Sequence, residues 1–147
     1  MPSLTAHRDV HADPHTIAGI ILNIAELADW NPALNSADTQ DRIARIGHPY
    51  PVSTRVPGRA SLTYLHADPE RITWRLQVTG GTETGEWELQ PNGETTRVVH
   101  TMTHDGAFFA LMRHAMHQVP NWRLDRLQQR AEPVSYTHLR AHETVLD

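Results

Sequence analysis

The segment Glu83–His104, ETGEWELQPNGETTRVVHTMTH, decides the fold of this chain. It alternates apolar and polar residues on both sides of Asn92-Gly93, the pair typical of a type I′ hairpin turn. Trp87 and Leu89 share one face of the first strand. One face of the return strand carries Val98, His100, Met102 and His104. The pattern predicts a long hairpin with one apolar and histidine-bearing face.

The sequence before this hairpin predicts a strand and two short helices. Leu4–Val10 alternates as a strand does, and Asp13-Pro14 is a typical helix start. The apolar stripe of the helix is Ile17, Ile20, Ile21 and Ile24. Asn23 is predicted to divide the helix in two. Asn31-Pro32 is predicted to end it, because the residue before proline avoids the helical conformation.

Six strands, including the two of this hairpin, are predicted between the helices and residue 104. They are separated by turn residues such as Gly, Pro, Asn and Asp, at a spacing typical of hairpins. The predicted strands are Gln40–Ile46, Tyr50–Val56, Ala60–His66, Arg71–Val78, Thr84–Gln90 and Thr95–His104. This spacing favours an antiparallel meander over alternating strands and helices.

A helix with an apolar stripe is predicted from Ala107 to Ala131, with a kink at Pro120. The letters after Pro133 are predicted to have another origin. Residues 134–144 read VSYTHLRAHET, which resembles one translated frame of a transposase adapter used in DNA sequencing. We therefore predict one domain over residues 1–133 and a non-native tail over residues 134–147, with a natural polar helix as the alternative.

Composition excludes several classes of function. The net charge of −4 gives no basic footprint for nucleic acid, and the absence of Cys excludes thiolate chemistry and disulfides. The chain has no Lys, so Schiff-base catalysis is excluded as well. Its longest apolar run is too short for a membrane span. We expect a soluble cytoplasmic protein that needs no metal or other cofactor.

The chain resembles the START-like superfamily, which includes polyketide cyclases/dehydrases and lipid-transfer proteins. Three stretches carry the resemblance: ADPHTIAGIILNIAELADWNP, GEWELQPNGETTRVVH and the closing helix, within residues 3–131. Glu94 departs from the pattern, since the family often has Gly directly before the Thr. The resemblance implies an α+β helix-grip fold, in which about seven curved antiparallel strands wrap around the C-terminal helix. It also implies a cavity between sheet and helix, but no universal catalytic residue.

The predicted cavity is mostly apolar, with a few aromatic and imidazole groups. The residues predicted to contact a ligand are Trp30, Tyr64, His66, Trp74, Trp87, His100, Met102, His104, Phe108, Met112 and Met116. Tyr64, His66 and His100 are the candidates for acid–base catalysis. For any single one of these residues, ordinary core packing is favoured over ligand contact, and a shift of one residue in strand register would turn the list outward.

Three functions remain compatible with the sequence. The first is binding of a small hydrophobic molecule, such as a lipid, isoprenoid or polyketide-like compound, in the cavity. The alternative is an enzyme of the polyketide cyclase/dehydrase type, in which a His or Tyr moves a proton. The third is an interaction protein that acts through its surface. An inner face with two or more ionisable groups in contact would favour the enzyme, and a wholly apolar, large cavity would favour binding. A filled core with an exposed apolar patch would favour the interaction protein.

Overall fold

The alternating segments form one seven-stranded antiparallel sheet in the computed structural model, which describes residues 2–133. The strands are β1 Ser3–Val10, β2 Leu34–Ala37, β3 Pro49–Thr54, β4 Ala60–Ala67, β5 Arg71–Val78, β6 Gly81–Asn92 and β7 Thr95–Asp105. Their order is β1-β7-β6-β5-β4-β3-β2. The predicted helix-grip architecture is confirmed. The predicted tail, 134–147, lies outside the described residues.

The two short helices after β1 are confirmed, together with the Asp13 cap and the break at Asn23. Helix α1 spans Pro14–Leu22, a 3₁₀ turn spans Ile24–Glu26, and α2 spans Leu27–Trp30. The Asp13 carboxylate accepts a hydrogen bond from the Thr16 amide at 2.8 Å. Asn23 ends α1 and accepts one from the Glu26 amide at 3.2 Å, so it divides the helix as predicted.

The hairpin turn between β6 and β7 differs from the prediction by one residue. Asn92 pairs with Thr95, which leaves Gly93 and Glu94 as the two-residue loop. Gly93 has a φ of 65°, and no non-glycine residue in the described chain has a positive φ. A positive φ at the first loop position alone is the pattern of a type II′ turn, where glycine is favoured. The predicted type I′ turn is therefore wrong.

The strand predicted at Gln40–Ile46 does not form, and β2 was not predicted. Residues 38–48 form a loop held by polar contacts. The Tyr50 hydroxyl donates to the Asp41 carboxylate at 2.6 Å and accepts from the Arg45 amide at 2.8 Å. The Ala44 amide donates to the Leu22 carbonyl at the end of α1. These bonds replace the ladder that the alternating pattern predicted.

The C-terminal helical segment consists of two helices. Helix α3 spans Ala107–Leu111 and α4 spans Val119–Ala131, with turns over residues 112–118. Pro120 lies in the first turn of α4, where its missing N–H costs nothing, so it starts a helix and does not kink one. Helix α4 packs mainly on β1, β7, α1 and α2. No helix among residues 2–133 combines the length and the apolar character of a membrane span.

Candidate functional site

A half-open pocket of about 1160 Å³ lies where α4 is not covered by the sheet. Its boundaries are the end of α2, residues 54–57 after β3, the end of β5, and parts of the segment 108–130. The side of α4 opposite the pocket carries the residues that pack on the sheet, Arg123, Leu124, Leu127 and Ala131. This volume is slightly above the range of about 300–1,000 Å³ for small-molecule sites.

Two apolar walls enclose the pocket. The wall from the C-terminal segment consists of Phe108, Phe109, Met112, Met116, Val119 and Trp122. The opposite wall consists of Trp30, Val56, Pro57, Leu76 and Val78. Met112 and Trp122 are 39% and 49% exposed, so much of the first wall is open to a ligand. Apolar walls with two flexible methionines suit an adaptable small-molecule site.

Four of the residues predicted to contact a ligand line this pocket: Trp30, Phe108, Met112 and Met116. Six others lie beneath it in the closed core: Tyr64, Trp74, Trp87, His100, Met102 and His104. The predicted inward orientation of these six is confirmed by their burial, with none more than 4% exposed. They pack on one another and do not line the opening. The prediction therefore found the correct face of the sheet but overestimated the depth of the cavity.

His66 does not lie on the inner face, and this part of the prediction was wrong. Tyr64 pairs with Trp74 and His66 pairs with Thr73, so the extra residue Leu65 forms a bulge. A bulge shifts the alternation by one residue, which turns His66 outward. Its ring contacts the Asp68 carboxylate at 2.6 Å on the surface.

The core beneath the pocket contains a buried ion pair. Arg123 and Glu83 are 0% and 1% exposed, and they form a two-pronged contact, Nη1–Oε2 at 2.8 Å and Nη2–Oε1 at 3.1 Å. Arg123 Nε donates to Asn31 Oδ1 at 3.2 Å, and Trp74 Nε1 donates to Glu83 Oε2 at 3.2 Å. We name Asn31, Trp74, Glu83, His100, Met102, His104 and Arg123 the Arg123 cluster. Its bonds compensate the cost of burying both charges.

Gly85 is what allows Trp74 to reach Glu83. The two residues Trp74 and Gly85 are directly paired between β5 and β6. A Cβ atom at Gly85 would lie 2.2 Å from Trp74 Nε1, closer than any real contact. The indole therefore needs the missing side chain in order to lie across the strand.

His100 is held in one neutral form by its two neighbours. Its Nδ1 lies 3.0 Å from the Glu86 carbonyl, which accepts only, so Nδ1 carries the proton. Its Nε2 therefore accepts from Arg123 Nη1 at 3.2 Å. The ring stacks on Trp87 with centroids 3.7 Å apart. Burial and the Arg123 charge lower the pKa of His100 to about 3, so it is neutral at pH 7.

Glu83 is the one member of the Arg123 cluster among the described residues that also lines the pocket. Burial alone would raise the pKa of Glu83, but the charge of Arg123, the nearby His104 ring and the hydrogen bonds from Arg123 outweigh it and lower that pKa. His104 is the looser contact, with its Nε2 3.5 Å from Glu83 Oε1 and its ring stacked on Phe109. Glu83 is thus an ionised carboxylate at the inner end of the pocket, and its negative charge is balanced by Arg123.

Tyr64, the third catalytic candidate, serves the core. Its hydroxyl donates to the Ile21 carbonyl at 2.6 Å and is fully buried. Burial raises the pKa of Tyr64, so the phenol stays protonated. The contact ties β4 to α1 and leaves the hydroxyl without a route to the pocket.

Sequence reasoning missed Arg123 and Glu83, although a signal for both was present. Glu83 has the same strand parity as Trp87 and Leu89, which were assigned inward. Arg123 lies four residues before Leu127, on the buried side of α4. Two opposite charges at inward positions predict a buried pair, since a lone buried charge is too costly.

The described residues offer no ready metal site. No group of three or more His, Cys, Asp or Glu side chains in residues 2–133 is arranged to hold an ion. The polar atoms closest to the pocket are those of Glu83 and of charged residues at the opening. The arrangement can enclose an apolar molecule and present charge at its mouth.

The comparisons with known proteins agree with this fold. A hypothetical protein from Helicobacter pylori has a similar fold, with a TM-score of 0.73 at 10% identity over 89% of this chain and 88% of that one. A START superfamily protein from Mycobacterium smegmatis gives 0.70 at 13% identity, over 88% and 96%. A protein from Thermus thermophilus gives 0.65 at 22% identity, over 88% and 97%.

At these identities the solved structures show the fold alone. No protein of curated function matches the sequence significantly. Residues 1–132, however, match the family described as "Polyketide cyclase / dehydrase and lipid transport". The match covers almost all of the chain that forms the sheet, the helices and the pocket. The chain therefore belongs to the polyketide cyclase/dehydrase and lipid-transport family.

Proposed function

We propose that the protein binds a small hydrophobic molecule in the pocket between the C-terminal helical segment and the ends of β3 and β5. The observation that carries the proposal is the half-open pocket of about 1160 Å³ with two apolar walls. Burying about 300 Å² of apolar ligand surface there corresponds to roughly 7 kcal/mol before the costs of association. Because those costs are subtracted from this gain, net binding is expected to be weaker than micromolar.

Catalysis of the cyclase/dehydrase type is less well supported by the same geometry. Such an enzyme needs an acid or base that reaches the bound molecule. Tyr64 and His100 are bonded within the core, and His66 is on the surface. Glu83 lines the pocket, but Arg123 keeps it ionised and engages both of its oxygens. Binding is therefore the primary proposal.

Native mass spectrometry tests this proposal directly. The full chain is mixed with a panel of fatty acids, isoprenoids and aromatic polyketides, and one-to-one adducts are measured. The substitution Ala115→Trp then places a large side chain in the pocket lining. Ala110→Trp is the matched control, because Ala110 is also exposed but does not line the pocket.

We expect an adduct with the unmodified protein and with Ala110→Trp, and a strongly reduced adduct with Ala115→Trp. The proposal is overturned if no member of the panel is retained by the folded protein. It is also overturned if both tryptophan variants retain the adduct equally, since the ligand would then lie elsewhere. In that case the exposed Leu111, which lies outside the pocket lining, becomes a candidate for a surface interaction.

A further inference from the structure

The carboxylates of the pocket are all neutralised by arginines. Among residues 2–133, three acidic residues belong to its lining: Asp29, Glu83 and Asp125. Asp29 lies 3.6 Å from Arg130, Glu83 lies 2.8 Å from Arg123, and Asp125 lies 2.6 Å from Arg8. The negative charge in the lining is therefore matched without any ligand.

The arginines of the pocket are not matched in the same way. Arg55, Arg126 and Arg130 line the pocket, and Arg130 is paired with Glu26 and Asp29. Arg55 and Arg126 are both exposed, and neither forms an ion pair or side-chain hydrogen bond within residues 2–133. Two positive charges at the opening are left in excess.

These two arginines adjoin the apolar walls. Arg126 follows Trp122 by one turn of α4, so both side chains lie on the same face of the helix. Arg55 directly precedes Val56 and Pro57, which belong to the opposite wall. Each wall therefore ends in a guanidinium group at the open side of the pocket.

We propose that the ligand of this pocket is an amphipathic anion, whose acidic head group is bound by Arg55 and Arg126 while its apolar body contacts the walls. This inference rests on the proposed function and specifies its ligand class. A guanidinium has five donors and no acceptor, and it matches the geometry of a carboxylate or phosphate. Charge complementarity thus selects an anion over a neutral or cationic amphiphile of equal length.

The experiment compares amphiphiles that share a ten-carbon chain. Decanoate, decyl phosphate, decanol and decyltrimethylammonium are titrated below their micelle concentrations, with tryptophan fluorescence as the signal because Trp30 and Trp122 line the pocket. The double variant Arg55→Gln/Arg126→Gln removes both proposed contacts. The control Arg75→Gln/Arg97→Gln removes the same charge from exposed strand positions outside the pocket.

We expect decanoate to bind about tenfold more tightly than decanol. This difference in affinity corresponds to one exposed charge-assisted hydrogen bond or to two weak ones. This preference is lost in Arg55→Gln/Arg126→Gln, is retained in the control, and decreases in 1 M NaCl because of screening. Comparison of decyl phosphate with decanoate shows which acidic head group the site takes.

The outcomes separate this inference from the proposed function. Equal affinity for decanoate and decanol overturns the anionic ligand and leaves hydrophobic binding intact. A preference for decanoate that persists in Arg55→Gln/Arg126→Gln overturns the assignment to these two arginines. No binding of any of the four amphiphiles overturns the proposed function and this inference with it. Thermal unfolding of each variant confirms that the comparison is made on folded protein.

Discussion

The Arg123 cluster and the pocket adjoin one another at Glu83, yet their arginines differ in burial and in ion pairing. In the cluster, the guanidinium of Arg123 is 0% exposed and bonded to Glu83, Asn31 and His100. In the pocket, Arg55 and Arg126 are exposed and have no partner among the described residues. Matched charges hold the sheet to α4, whereas the unmatched charges are the contacts that we propose for a ligand head group. Exposure and pairing together separate structural polar groups from candidate binding groups.

The largest difference between the two regions is expected for Arg123→Met. This substitution leaves Glu83 buried without its counter-charge, so we expect a loss of about 3–5 kcal/mol in the free energy of unfolding. The matched change Arg126→Met, one turn further along α4, is expected to alter it by less than about 0.5 kcal/mol. Urea denaturation measures both. A loss of stability in Arg123→Met as small as that in Arg126→Met would show that the cluster does not stabilise the fold.

The pH dependence of stability is the second way to distinguish the regions. His100 has a pKa of about 3 in the folded protein and an ordinary value of 6.5. Between these values the unfolded chain binds more protons, so stability is lost as the pH falls below 6.5. From pH 7 to pH 5 this amounts to about 2 kcal/mol for one buried imidazole.

His100→Gln removes this dependence and keeps a hydrogen-bonding group in place. We expect the stability gap between the unmodified protein and His100→Gln to narrow by about 2 kcal/mol between pH 7 and pH 5. Glu83 does not interfere, because its lowered pKa affects stability only below its ordinary value of 4.5. Parallel pH profiles for the two proteins would contradict the burial of a neutral His100.

Tyr64→Phe tests whether a residue predicted as catalytic is structural. It removes the hydroxyl that donates to the Ile21 carbonyl, and we expect a loss of about 1–2 kcal/mol in stability. Decanoate affinity is expected to stay the same, because Tyr64 lies beneath the pocket and does not line it. A large loss of binding with little loss of stability would restore Tyr64 as a functional residue.

The smallest expected effect compares two neighbouring exposed residues. Met112 lines the pocket, whereas the adjacent Leu111, 85% exposed, does not. Met112→Ser should weaken ligand binding about threefold to tenfold, from the loss of roughly 1 kcal/mol of apolar contact. Leu111→Ser should leave binding unchanged. Isothermal titration calorimetry measures both, and an equal effect would place the ligand outside the pocket.

Much of the fold could be predicted from the sequence, because alternation and caps are local signals. The hairpin strands, the Asp13 cap and the Asn23 break all depend on neighbouring residues. The wrong predictions came from side-chain contacts between non-neighbouring residues or from a single inserted residue. Asp41 and Tyr50 replace a predicted strand by a loop, and the bulge at Leu65 turns His66 outward.

The candidate site was predicted less well than the fold. Parity gave the inner face correctly except at His66, but it does not show which inward residues are covered by others. His100 stacks on Trp87 and lies beneath the opening, whereas Met112 and Met116 line it. Whether an inward residue is packed or accessible depends on where the C-terminal helical segment breaks between α3 and α4. Pro120 indicated the position of this break only partly. Arg123 was overlooked because the apolar stripe was read without its charged member.

Methionine methyl NMR tests the central claim most directly, because the methionines report on both regions. Met112 and Met116 line the pocket, whereas Met102 is buried against Arg123, with Nη1 3.0 Å from its sulfur. Titration with decanoate is expected to shift the methyl signals of Met112 and Met116 and to leave that of Met102 in place. A dominant shift of Met102, with Met112 and Met116 unchanged, would contradict the account and move the binding site into the core.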